Sequence, residues 1–104
     1  MVAATVREIR TVAGVEQWRG LVESIFPAFA VDNVLCIMLH ESGGRADVVS
    51  PTDDHGLMQL NRVNHWRLEG RSPYDPVANL EVAYALSGGG TSWGPWVARW
   101  KCGL

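Results

Sequence analysis

The stretch VLCIMLHESGG, residues 34–44, decides the fold class of this chain. It opens with six apolar residues in succession, and the glycine pair at its end is a common helix stop. Asp32, two residues before the stretch, is a residue type favoured at helix N-caps. A helix that is apolar on every side lies at the centre of a small domain. We therefore predict a buried central helix that begins at an Asp32 cap and extends to about Ser42.

Apolar spacing and turn-forming residues in the remainder of the chain predict further helices and almost no β-strand. The further predicted helices cover residues 15–26, 57–66 and 75–87, and a short last helix carries Trp93, Trp96 and Trp100 on one face. Residues 45–56 are rich in turn formers and predict a loop or a small hairpin. The fold class is therefore mostly α, or α+β at most.

Composition limits the function classes. The chain has 104 residues, of which 47% are hydrophobic and 19% charged, so we expect one domain over residues 1–104. The net charge of −2 and the lack of a basic cluster argue against nucleic acid or an anionic membrane as partner. Residues 1–15 lack the apolar run of a signal peptide, and no run approaches the roughly 20 residues of a membrane span. We expect no membrane insertion.

Glu41 is the first candidate for chemistry. A carboxyl group at the end of an apolar helix is held against the core, where desolvation raises its pKa towards the range of a proton donor. The alternative is that Glu41 caps the helix or pairs with Arg45 on the surface.

Metal and cofactor chemistry find little support in the sequence. The three histidines, His40, His55 and His65, are spaced too widely for a helix-face pair, and no thiolate joins them. Gly88-Gly89-Gly90 lacks the lysine and spacing of a phosphate loop and is interpreted as a helix stop. We expect neither a metal nor a cofactor.

Several short motifs occur in an order that is known from one group of proteins. They are Glu41-Ser42-Gly43, Ser50-Pro51, Gly56-Leu57-Met58-Gln59, Asp75-Pro76 and Asn79-Leu80. In this order and spacing they resemble the catalytic segment of soluble lytic transglycosylases and goose-type lysozymes.

A second resemblance overlaps the first. The segment DHGLMQLN, residues 54–61, is similar to the part of animal c-type lysozymes that carries the second catalytic carboxylate. The segment WVARWKCG, residues 96–103, resembles their Trp-Val-Ala-Trp segment, which ends in a disulfide-bonded cysteine. These resemblances imply a compact lysozyme-like fold, with a small loop or β-hairpin beside a cleft that binds peptidoglycan glycan strands.

The resemblance implies a role for each of three residues. Glu41 would be the general acid at the bond between N-acetylmuramic acid and N-acetylglucosamine, and Trp96 would form the apolar pocket that keeps it protonated. Asp54 would be the second carboxylate that a hydrolase needs. A lytic transglycosylase needs only the glutamate, because the 6-hydroxyl of the sugar closes an anhydro ring. The sequence leaves open whether Asp53, Asp54 or neither has this role, since turns also favour aspartate.

Other residues are assigned to binding or to packing. Gln59 and Asn61 are expected to line the cleft, while Tyr84 either faces the sugar or fills the core. Trp66 is predicted to be a core residue rather than a sugar-stacking one. Ser42 is expected to form local hydrogen bonds and not to act as a nucleophile.

The resemblance also implies a disulfide between Cys36 and Cys102, whereas the alternative is two free thiols in a cytosolic protein. A disulfide would match work at the bacterial cell wall, outside the cytoplasm. The sequence then predicts a monomeric muramidase from a phage or a module of a larger protein, with peptidoglycan as its partner. The rival hypotheses are a lytic transglycosylase and a glycan-binding module without activity.

Overall fold

The computed structural model describes residues 14–104. Its helices and strands are α1 (Arg19–Ile25), a 3-10 turn (Ala28–Ala30), α2 (Val31–Glu41), β1 (Asp54–His55), β2 (Leu60–Asn61), a 3-10 helix (Arg62–Leu68), α3 (Pro76–Leu86) and a last 3-10 helix (Val97–Cys102). Strands β1 and β2 pair antiparallel, with Asp54 opposite Asn61 and His55 opposite Leu60. The structure confirms the predicted mostly α fold with a small hairpin.

Helix α2 is the central element, as the apolar stretch predicts. Val34, Ile37 and Met38 are fully buried, and the helix packs against α1 and against the last 3-10 helix. The predicted cap is wrong: Ala30 is the N-cap, and Asp32 lies in the first turn, where it accepts a hydrogen bond from Arg19. The 3-10 turn Ala28–Ala30 leads directly into the helix, and Val31 N–H already donates to the carbonyl of Ala28.

Helix α3 follows its sequence signals closely. The Asp75 side chain accepts hydrogen bonds from the N–H groups of Val77 and Ala78, and Pro76 occupies the first turn. The helix ends at Leu86, and the three glycines that follow all have positive φ. At Gly90 a Cβ atom would lie 2.6 Å from the Cβ of Ala30, so the chain can pass this close to the core only with glycine.

Two helix predictions are wrong in instructive ways. The segment predicted as a helix over residues 57–66 begins as the turn and second strand of the hairpin and continues as a 3-10 helix. Gly56 and Gln59 both have positive φ, which an α-helix does not allow. The first predicted helix is interrupted as well, because a turn at residues 17–18 separates residues 14–16 from α1.

The tryptophans at the end of the chain do not share one face. Trp93 and Trp96 are buried, whereas Trp100 is 68% exposed. The predicted spacing assumed 3.6 residues per turn, but Pro95 lies within a turn and the helix after it is of the 3-10 type, with three residues per turn. Trp66, predicted to be in the core, is 70% exposed, since in its own 3-10 helix Leu68 takes the buried position.

None of the helices in the described part of the chain has the length and apolar content that crossing a membrane requires.

Candidate active site

Glu41 is the last residue of α2 and is half-buried. Within residues 14–104 its carboxyl group accepts no hydrogen bond. Burial raises the pKa of Glu41 above its ordinary value, the negative charge of Asp54 raises it further, and the positive charge of Lys101 opposes both. The end of the apolar helix therefore holds a carboxyl group that retains its proton to higher pH than a solvated glutamate.

Asp54, on strand β1, is surrounded by hydrogen-bond donors, in contrast to Glu41. One carboxylate oxygen accepts hydrogen bonds from the hydroxyls of Ser50, at 3.0 Å, and Thr52, and the other accepts one from the Asn61 amide at 3.0 Å. Partial burial alone would raise the pKa of Asp54, but these three donors outweigh it and lower the pKa. The hairpin therefore keeps Asp54 ionised, and its charge acts on Glu41.

The neighbouring Asp53 is neutralised by basic partners. One carboxylate oxygen accepts a hydrogen bond from Arg62 Nε at 2.7 Å, and the other lies 2.6 Å from Nε2 of His55. The guanidinium and the imidazole lower the pKa of Asp53 to about 2. The other nitrogen of the buried His55 ring lies 2.7 Å from the hydroxyl of Tyr74, so Asp53 belongs to a network that fixes the hairpin.

Asn79 of helix α3 anchors this hairpin to the body of the protein. Its fully buried amide donates to the carbonyls of His55 at 3.0 Å and Pro73 at 2.8 Å, and accepts from Met58 N–H at 2.9 Å. A Cβ atom at Gly56 would lie 2.5 Å from the Asn79 amide nitrogen, so the chain needs glycine there. A hairpin with two-residue strands is unstable alone, because its strands share few backbone hydrogen bonds. The hydrogen bonds of the Asn79 side chain compensate for this.

A narrow groove of about 70 Å³ lies between the hairpin side and the tryptophan segment. Its lining residues come from the hairpin and the 3-10 helix after it (Asp54, Gln59, Leu60, Asn61 and Asn64), from the end of α3 (Leu86) and from the tryptophan segment (Pro95 and Trp96). The indole N–H of the buried Trp96 donates to the carbonyl of Met58 at 2.8 Å. This bond joins the two walls, so the groove is a fixed feature of the fold.

A model of the family described as "Lysozyme like domain" matches residues 26–98. The chain belongs to this family. No curated protein and no solved structure gives a significant match.

Three of the residues predicted to bind substrate lie at the groove of this lysozyme-like domain, and one does not. Gln59, Asn61 and Trp96 line it. The amide of Gln59 also donates to the carbonyl of Gly56 at 3.0 Å, and the Asn61 amide holds Asp54. Tyr84 is not among the lining residues: its ring packs edge-on against Phe26, with the centroids 5.5 Å apart.

The predicted disulfide is present in the lysozyme-like domain. Cys36 and Cys102 are bonded, with their Cα atoms 6.0 Å apart, and connect α2 to the last 3-10 helix. One atom each of Cys36, His40 and Cys102 lie within 4.8 Å of one another, but the disulfide leaves neither sulfur free as a thiolate ligand. Ser42 donates locally to the carbonyl of Met38, as predicted.

Sequence reasoning missed the residues that support the two carboxylates. Ser50 and Thr52 precede Asp54 by four and two residues, a pattern typical of hydroxyl donors in turns, so this signal was available. Lys101, whose charge acts on Glu41 from 60 positions away, gives no local signal.

Proposed function

We propose that this lysozyme-like domain hydrolyses the β-1,4 bond between N-acetylmuramic acid and N-acetylglucosamine in peptidoglycan. One observation carries the proposal: the charge of Asp54 reaches Glu41, and the pKa of Glu41 is raised while that of Asp54 is lowered. Glycoside hydrolysis needs such a pair, because one group must donate a proton while the other remains charged.

In the proposed reaction Glu41 donates its proton to the glycosidic oxygen as the bond from that oxygen to the sugar C1 breaks. The electron pair of the bond leaves with the oxygen, and positive charge develops on the sugar ring. Asp54 stabilises this charge, attacks it or activates the water that completes the reaction. Water supplies the new hydroxyl at C1. Its second proton returns to Glu41 directly, or first passes to Asp54 where Asp54 activates the water and from there through solvent to Glu41.

Asp54 supports this role better than Asp53 because of the charges around each. The donors to Asp54 are neutral, so its negative charge remains available to a cationic sugar. Asp53 is paired with Arg62 and points its other oxygen at His55. A carboxylate compensated in this way stabilises a nearby cation less.

The two shifts predict where activity is lost on the pH scale. Glu41 acts only while protonated, so activity falls as pH rises through its raised pKa. Asp54 acts only while ionised, so activity falls as pH decreases through its lowered pKa. Both pKa shifts widen the pH range of activity, because they move the acidic limb of the profile to lower pH and the alkaline limb to higher pH.

The partner in this proposal is the peptidoglycan glycan strand, and the site of action is the cell wall, outside the cytoplasm. Lytic transglycosylation is the alternative, and the Gly56-Leu57-Met58-Gln59 motif supports it through its resemblance to that group. In that reaction Glu41 acts alone and Asp54 only holds the hairpin.

Mass spectrometry of the fragments released from purified cell walls tests the proposal. Hydrolysis gives fragments with reducing ends, whereas transglycosylation gives anhydro ends that are lighter by one water. Reducing ends from the wild type and none from Glu41→Gln would support the muramidase. Anhydro ends would reject hydrolysis and support lytic transglycosylation. Walls that remain intact at every pH would reject both activities and support a glycan-binding module.

A further inference from the structure

His55 directly follows Asp54 on strand β1 and is buried, whereas Asp54 lines the narrow groove. Successive side chains of a strand point to opposite faces, so the imidazole lies on the other side of the strand from the carboxylate. Both ring nitrogens have a partner: Nε2 lies 2.6 Å from an oxygen of Asp53, and Nδ1 lies 2.7 Å from the hydroxyl of Tyr74. The proposed reaction does not use His55, so a buried ionisable group next to Asp54 is left without a role.

The two partners of the imidazole satisfy it in both of its protonation states. The ionised carboxylate of Asp53 can only accept, so Nε2 carries a hydrogen in both states. In the neutral ring Nδ1 accepts a hydrogen bond from the Tyr74 hydroxyl, and in the protonated ring Nδ1 donates one to the same oxygen. Proton uptake therefore requires only that the hydroxyl hydrogen of Tyr74 turns away. The hydrogen bonds around the ring are retained.

Proton uptake changes the charge of this cluster. Asp53 and Arg62 form an ion pair with an N–O distance of 2.7 Å, so the cluster is neutral while His55 is neutral and carries one positive charge once His55 is protonated. Asp53 favours this proton uptake. The ring of His65 packs edge-on against His55, with the centroids 4.8 Å apart, and opposes the uptake when it is itself charged. Histidine gains its charge as the pH falls, so the positive charge arises in acid.

The charge of His55 acts on Asp54. Partial burial opposes the ionisation of Asp54, the neutral donors favour it, and the positive charge of His55 lowers the pKa of Asp54 further. The hydroxyl and amide donors have the same charge at every pH. The contribution of His55 differs from theirs because it grows as the solution becomes more acidic, which is where Asp54 would otherwise take up a proton.

We propose that His55 is a positioning residue for Asp54: it gains a proton in acid without breaking the hydrogen bonds of the hairpin, and its charge then keeps Asp54 ionised. This inference rests on the proposed function, in which Asp54 acts as a carboxylate. It gives the cluster behind strand β1 a task in addition to fixing the hairpin. The domain then cleaves walls at lower pH than the neutral donors of Asp54 alone would allow.

His55→Gln separates the charge from the hydrogen bonds. Glutamine can donate to Asp53 and accept from Tyr74, but it remains neutral at every pH. The signal of the Asp54 carboxyl carbon is followed by ¹³C NMR as the pH is lowered, in the wild type and in the variant. In His55→Gln we expect Asp54 to take up its proton at a pH that is higher by roughly half a unit, the effect of one charge several Å away in water-like surroundings.

His65→Gln is the matched control, because it removes the other imidazole of the same cluster. His65 donates to the carbonyl of Leu60 at 3.1 Å and is not among the groups whose charge acts on Asp54. We therefore expect no rise in the pH at which Asp54 takes up its proton. A rise of equal size in both variants, or no rise in His55→Gln, would overturn the inference.

Wall cleavage along the acidic limb of the pH–rate profile is the second readout. We expect the ratio of wild-type to His55→Gln activity to increase as the pH falls, because the variant loses its ionised Asp54 first. A purely structural role of His55 would instead lower cleavage by the same factor at every pH and would contradict the inference. Failure of the wild type to cleave walls at any pH would count against the proposed function, and the carbon titration would still decide whether His55 acts on Asp54.

The wild type alone is sufficient if His55→Gln does not fold. Its Asp54 carbon signal is then expected to show a second, smaller step at the pH where the ring signals of His55 change. The amide signals of strands β1 and β2 should keep their dispersion through this step. Absence of the step, or loss of the amide dispersion as His55 gains its proton, would refute the inference.

Discussion

The end of helix α2 and the β1–β2 hairpin each carry one carboxyl group, and the surroundings of the two groups shift their pKa values in opposite directions. Glu41 ends an apolar helix and has no hydrogen-bond donor in the described residues. Asp54 lies among hydroxyl and amide side chains, three of which donate to it. Burial without donors keeps a proton on a carboxyl group, and donors remove it. The domain thus shifts the pKa values of its two carboxyl groups in opposite directions.

The two regions also differ in how they are held. The α2 side is fixed by the apolar core and by the Cys36–Cys102 disulfide. The hairpin side depends on polar side chains, above all the buried Asn79 amide and the Asp53–His55 pair.

Glu41→Gln is expected to have the largest effect. The substitution keeps size and polarity but removes the transferable proton, so wall cleavage should fall by about 10²-fold or more with no change in fold. Turbidity clearing of cell walls measures the loss, and circular dichroism checks the fold. A Glu41→Gln variant that keeps most of its activity would show that Glu41 is not the general acid.

Asp54→Asn is expected to reduce hydrolysis by about 10²-fold, since the charge opposite the developing cation is lost. Asp53→Asn is the matched control in the same turn; it removes an equal charge, yet we expect a mild effect because Arg62 and His55 already compensate Asp53. Cleavage rates and product ends are measured for both variants. Equal and mild losses would favour the transglycosylase.

Replacing both Cys36 and Cys102 by serine is expected to destabilise the protein by about 4 kcal/mol in the chain-entropy model, because the bond closes a loop with a sequence separation of 66. Urea unfolding of the double variant and the wild type gives the difference. Thiol labelling of the unreduced wild type provides the control: two reactive thiols would show that the bond does not form in solution.

Lys101→Met and Trp96→Ala are expected to shift the pH–rate profile in opposite directions, and these shifts are the smallest of the predicted effects on activity. Removing the Lys101 charge, which lowers the pKa of Glu41, should move the alkaline limb of the pH–rate profile to higher pH. We expect Trp96 to shield Glu41 from water, so its removal should lower that pKa and move the limb to lower pH. Shifts in the same direction would contradict the assignment of this limb to Glu41.

Sequence reasoning succeeded where the signal is local or continuous. The run of apolar residues 34–39 identified the central helix, Asp75-Pro76 fixed the start of α3, and the order of the short motifs indicated the family. It failed at Trp66 and Trp100, which are both exposed. The spacing of Trp100 from Trp93 and Trp96 indicates one face of an α-helix, and the large ring of Trp66 suggested a core position. Both segments instead adopt the 3-10 form.

The sequence by itself determined the helical fold class, the family and the identity of Glu41 and the two aspartates as candidates. The resemblance favoured Asp54 over Asp53, but only the tertiary structure shows how their surroundings differ: Arg62 and His55 contact Asp53, whereas neutral donors contact Asp54. It alone brought Lys101 close enough for its charge to act on Glu41. The reason is that electrostatic effects depend on distances through space, and residues 60 positions apart acquire such distances only when the chain folds.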